Sequence, residues 1–184
     1  MLHRFFPNIL TIFRILMSPV FFLLIVQDQP YFKILSFFLL LFVSLTDFFD
    51  GFYARHYNLI TSLGKYLDPF ADKIFITTVL FSFYYIMEIF VPLWMLIVIF
   101  MRDIIITIFR AYCKYNNLEF TTSKLGKRKT LFQIICLHVI LLILILEQYF
   151  NYQIGLEFIY YIMLLCTILT IISGLDYFYR YYKR

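Results

Sequence analysis

Apolar runs almost free of charge recur six times along this chain, at Ile9–Val26, Ile34–Thr46, Ile74–Met87, Val91–Met101 continuing past a charged pair to Phe109, Leu131–Leu146 and Phe158–Leu175. No other feature restricts the fold as severely. A helix of about 20 such residues spans the hydrocarbon core of a bilayer. The second and third runs fall short of that length, so they must borrow from their charged flanks, and the carboxylates on those flanks then sit at or inside the membrane boundary. The composition, 63% hydrophobic and 15% charged, would leave a water-soluble domain with far too much apolar surface. The expectation is an all-α integral membrane protein with six transmembrane helices. Neither a flexible linker nor a repeat divides it, so residues 1–184 form one membrane domain.

Lys and Arg collect in short cytoplasmic loops. With both the amino and carboxyl termini cytoplasmic, every Lys and Arg except Lys33 falls on the inner side, together with the loop at about 47–73 and the segment 102–130. The net charge of +5 is then a one-sided surface suited to anionic lipid headgroups; nothing in the pattern calls for nucleic acid. Cys113, Cys136 and Cys166 stand singly in apolar surroundings, a pattern of helix packing rather than of a disulfide framework or a zinc site. His3, His56 and His138 are scattered and are read as interfacial or packing residues.

The chemistry concentrates between Asp47 and Asp72, in the stretch DFFDGFYARHYNLITSLGKYLDPFAD. At about 100° per residue, Asp47, Asp50, Gly51 and Ala54 share about one third of a helix circumference, so two carboxylates lie beside two residues without bulk. Asp68 and Asp72 are four apart and share a face in the same way, and Pro69 suggests a helix start capped by Asp68. Four neighbouring carboxylates at membrane depth cannot all remain ionised without cations. An all-oxygen donor set selects hard ions, Mg²⁺ or Mn²⁺, over zinc. Two ions about 4 Å apart would clamp a diphosphate. The active site is therefore expected at the cytoplasmic membrane boundary.

This stretch resembles the signature of the CDP-alcohol phosphatidyltransferases, D-x2-D-G-x2-A-R-x8-G-x3-D-x3-D, with every fixed position present as Asp47, Asp50, Gly51, Ala54, Arg55, Gly64, Asp68 and Asp72. The resemblance implies metal ligation by the aspartates and a general-base role for Asp72 on the acceptor hydroxyl. It also implies contacts to the CDP moiety from Gly51, Ala54, Arg55 and Gly64. Outside the signature, PNILTIFR (Pro7–Arg14), MRDIIITIFR (Met101–Arg110) and GKRKTLFQ (Gly126–Gln133) are most similar to the family members that transfer the phosphatidyl group from CDP-diacylglycerol to sn-glycerol 3-phosphate. Those members usually carry Glu where this chain has Asp103.

Arg102 and Arg110 on the fourth run, and Lys127 and Lys129 at the start of the fifth, suit a phosphate dianion. Arg102 with Asp103 also reads as a buried neutralising pair. Asn8, Thr11 and Arg14 recur every three residues on the first helix, within reach of a nucleotide or serving as cap and snorkelling residues. The partners expected are CDP-diacylglycerol, sn-glycerol 3-phosphate and membrane lipids, and family members often pair with a second copy. The location expected is a bacterial plasma membrane. Alternatives are the same chemistry on inositol phosphate, serine or phosphatidylglycerol, or a cation transporter built on the aspartates.

Overall fold

The computed structural model describes the backbone of residues 6–57, 64–116, 124–150 and 156–183. These residues form α1 (Phe6–Ile25), α2 (Pro30–Tyr57), α3 (Gly64–Ile86), α4 (Leu93–Tyr115), α5 (Lys124–Phe150) and α6 (Glu157–Tyr182). Each apolar run falls in one helix, apart from Val26, Met87, Val91 and Pro92 just beyond the helix ends. Five helices extend beyond the apolar stretch into charged sequence: α2 continues to Tyr57, α3 begins at Gly64, α4 reaches Tyr115, α5 begins at Lys124 and α6 runs on to Tyr182. The helix start expected at Pro69 is corrected, because α3 begins before it. A proline there removes one backbone hydrogen bond, the one its N–H would donate to the carbonyl four residues back, which lies in the first turn of α3.

Packing closes the helices into a ring. Helix α1 lies against α2 and α3, α2 against α5, α5 against α6, α6 against α4, and α4 against α3. The core at the centre of the ring is apolar, with Phe21, Leu40, Phe75, Phe83, Met95, Ile140 and Met163 fully buried. The outer surface is apolar as well: Leu16, Leu23, Phe38, Ile108, Leu131 and Leu175 are all more than half exposed. Helices that are hydrophobic on all sides belong inside a large core or a membrane. The helical stretches Arg128–Tyr149 and Glu157–Tyr182 are long and apolar enough to cross a membrane, and Thr11–Ile25, Pro30–Thr46 and Lys73–Ile86 are shorter apolar helices. The three cysteines are free and buried, as the sequence suggests.

Two glycines set the spacing around α6. A Cβ on Gly126 would sit 2.4 Å from the Tyr177 hydroxyl and 2.8 Å from its ring, and one on Gly174 would come 3.2 Å from Cγ of Arg102. A rigid ring cannot yield as a flexible side chain does. Gly126→Ala therefore forces α5 and α6 apart, at a cost of about 1–3 kcal/mol typical of overpacking. Thermal unfolding in detergent should show the lower midpoint, and Tyr177→Leu in the same chain should recover most of it, because it removes the obstructing ring.

Candidate active site

The signature aspartates lie on two helices, α2 and α3, that both pack against α1. Asp47, Asp50, Gly51, Ala54 and Arg55 occupy the last turns of α2, and Gly64, Asp68 and Asp72 the first turns of α3. With a rise of about 1.5 Å per residue, Asp47 lies about 15 Å from the end of α2 and Asp72 about 12 Å from the start of α3. The side chains of these eight residues, and those of Asn8 and Lys127, lie outside the described residues.

Helix α1 is the third wall. The edge-on contact of Phe13 with Phe42 and that of Phe21 with Phe75 fix its level against α2 and α3. Moving the same number of residues from each contact, Asn8 falls level with Asp47, and Arg14 with Asp68. Thr11 and Arg14 are 1% and 3% exposed, so the polar face of α1 turns into the bundle and not toward lipid. Snorkelling of Arg14 to the surface is thereby excluded.

A cavity of about 380 Å³ lies between α3, α4, α5 and α6. Helix α3 lines it with Lys73, Ile76, Thr77 and Leu80, a single face beginning at the residue after Asp72. Helix α4 contributes Arg102, Asp103, Thr107 and Arg110, α5 contributes Gly126, Thr130 and Gln133, and α6 contributes Tyr177. Lys73 Nζ donates to Thr107 Oγ1, and that hydroxyl donates to the Asp103 carbonyl at 2.7 Å. The ammonium of Lys73 is thus held at the cavity wall between α3 and α4. Sequence reading passed over Lys73, although its place directly after Asp72 was a usable signal.

Arg102 is fixed from three sides. Its Nη1 donates to Asp103 Oδ1 at 3.0 Å, its Nη2 to Ser173 Oγ at 2.8 Å, and its guanidinium carbon lies 5.5 Å from the centre of the Tyr177 ring. Lys129 donates to both carboxylate oxygens of Asp103 at 2.9 Å. Arg102 therefore lines the cavity and belongs to an ion cluster at once, so both readings of it apply. Lys129 differs from expectation: it is buried against Asp103 and borders a separate apolar recess with Leu125, Arg128 and Leu131 rather than the cavity. Arg110 lines the cavity and is exposed.

Among the described residues the cavity thus carries three cations, Lys73, Arg102 and Arg110, against one carboxylate that is already shared by two cations. Such a wall suits a small anion, with Arg as a bidentate donor to phosphate. Among the described residues no three His, Cys, Asp or Glu converge on one point. The aspartates that the sequence places on α2 and α3 offer only oxygen donors, a donor set that fits a hard divalent cation.

The sequence profile of the CDP-alcohol phosphatidyltransferases matches residues 4–173, and the chain belongs to that family. Among its relatives, a Rickettsia bellii protein is 35% identical over 174 residues, covering 94% of this chain and 92% of its own length. A Rickettsia typhi protein is 36% identical over 176 residues, with 94% of each chain covered. A Bacillus subtilis protein is 32% identical over 148 residues, 74% of this chain and 76% of its own. All three are named CDP-diacylglycerol–glycerol-3-phosphate 3-phosphatidyltransferase.

Proposed function

We propose that this protein transfers the phosphatidyl group of CDP-diacylglycerol to sn-glycerol 3-phosphate, giving phosphatidylglycerophosphate and CMP. The observation that carries the reading is the cation-lined cavity opening on α3 one residue after Asp72. A phosphorylated acceptor needs such a wall; serine or another neutral alcohol does not. The names of the relatives agree.

Asp72 takes the proton of the acceptor hydroxyl as its oxygen attacks the β-phosphorus of the CDP-lipid, and the bond from that phosphorus to the oxygen of CMP breaks. Lys73, Arg102 and Arg110 hold the acceptor phosphate so that the hydroxyl is presented to α3. Asn8, Thr11, Gly51, Ala54, Arg55 and Gly64 border the CDP moiety, where residues without bulk admit the diphosphate to the backbone of α2. Asp47, Asp50, Asp68 and Asp72 would hold two Mg²⁺ or Mn²⁺ ions. When bound, such ions neutralise the diphosphate and the departing CMP. Lys127 meets the acceptor as it enters, and Lys129 acts on it only through Asp103.

In the membrane, all six helices span, with both termini and the site on the cytoplasmic side, as the distribution of Lys and Arg requires. The acyl chains lie along the apolar outer faces in a bacterial plasma membrane. Purified protein in detergent with CDP-diacylglycerol and Mg²⁺ should release CMP when given sn-glycerol 3-phosphate, and not with inositol phosphate, serine or no acceptor. Release with another acceptor would keep the metal site and overturn the acceptor assignment. No release under any of these conditions, together with cation flux in liposomes, would replace the enzyme by a transporter.

A further inference from the structure

Gln133 lines the cavity with a carboxamide, a group that the phosphate does not use. It is 2% exposed and lines the cavity on the face of α5 that also carries Gly126 and Thr130. Its Nε2 is buried without a hydrogen-bond partner. On Arg102, which lines the same cavity, Nε is likewise buried and unpartnered although both terminal nitrogens are engaged. Burying an amide nitrogen without a partner is costly and uncommon in native proteins. Two such donors on one cavity wall indicate that an acceptor-rich ligand completes them.

The two donors suit different parts of one ligand. The guanidinium, with Lys73 and Arg110 on the same wall, takes the charged phosphate. A neutral carboxamide offers both a donor and an acceptor, which matches a hydroxyl and gains little from a dianion. Glycerol 3-phosphate has two hydroxyls, and the one at the terminal carbon must be delivered to Asp72. The hydroxyl at C2, between the phosphate arm and the reacting carbon, remains.

Resting on the acceptor assignment above, we infer that Gln133 is a specificity-determining residue that hydrogen-bonds the C2 hydroxyl of the acceptor, so that the enzyme reads a vicinal diol phosphate rather than any short phosphorylated alcohol. A site built to hydrogen-bond a substrate hydroxyl discriminates strongly against the analogue that lacks it, because its own polar group is then left unpaired. Replacing the amide by an apolar group of similar size removes that penalty and should erase the preference.

The test compares sn-glycerol 3-phosphate with 3-hydroxypropyl phosphate, which keeps the phosphate and the reacting primary hydroxyl but lacks the one at C2. Wild-type protein should favour glycerol 3-phosphate by roughly tenfold or more in kcat/KM, the scale of one buried hydrogen bond. Gln133→Leu should lose that factor on glycerol 3-phosphate, change by less than about twofold on the deoxy acceptor, and leave KM for CDP-diacylglycerol unaltered. An equal loss on both acceptors, or none on either, overturns the inference. If Gln133→Leu does not fold, Gln133→Met provides the same ratio. Wild-type protein that uses both acceptors equally overturns the role of Gln133 alone. Wild-type protein that transfers to neither overturns the acceptor assignment and this inference together.

Discussion

Asp72→Asn lowers CMP release by about three to four orders of magnitude while the protein remains folded. A positioned general base contributes about 10²–10⁴ to rate, and Asn cannot take the proton. On the proposed mechanism the substitution also removes an anionic oxygen from the carboxylate set that would retain the divalent cations. Both losses act on kcat. Size-exclusion profile and thermal midpoint should stay near wild type, since relief of repulsion among four carboxylates offsets the lost interactions. Asp176→Asn is the matched control away from the signature: Asp176, 16% exposed, pairs with Arg180 one turn on, whose side chain is 49% exposed. Exposed pairs contribute about 0–1 kcal/mol, so that variant should keep activity within about twofold. An Asp72→Asn protein with more than about a tenth of wild-type activity would remove Asp72 from the mechanism.

Asp103→Asn has the largest expected effect on stability. Its carboxylate lies 3.0 Å from Arg102 and 2.9 Å from Lys129, whose side chains are only 14% and 3% exposed. Neutralising the shared anion leaves two neighbouring cations facing each other with little water. Breaking such a pair costs about 3–5 kcal/mol when fully buried, and the 23% exposure of Asp103 places this case near the lower end, about 3 kcal/mol. For a chain of this size that corresponds to a fall in thermal midpoint of about 6–12 °C. Lys129→Met should be milder, because it leaves one cation with one anion. Adding it to Asp103→Asn should recover part of the loss, because the repulsion disappears with the ammonium. A double variant less stable than either single one would show that the cluster is held by hydrogen bonding rather than by charge. Acceptor KM should rise in Asp103→Asn as well, because the carboxylate orients the guanidinium at the cavity wall.

Much of the molecule was legible before its fold was known, for a local reason. Hydropathy is a property of consecutive residues, so six apolar runs announced the six helices that were found. The spacing of Asp47, Asp50, Asp68 and Asp72 fixes which carboxylates share a helix face, whatever surrounds them. Helix ends were harder to read, because α2 and α3 continue through charged sequence that hydropathy assigns to a loop.

What the sequence alone determined is the set of helices, the family signature and the presence of cations on the fourth and fifth runs. Only the tertiary structure decided what those cations do. It joins Lys73 to Thr107, Asp103 to Lys129, Arg102 to Ser173, and Gly126 to Tyr177, pairs that lie on different helices and share no local pattern. Lys129 became a counter-ion and Lys73 a cavity residue through the closing of the ring. Gln133, unremarkable among apolar neighbours on α5, acquired an unfilled hydrogen bond at a cavity wall. Helical periodicity orients a side chain only relative to its own axis; which helix stands opposite is fixed by the packing of buried residues far apart in sequence.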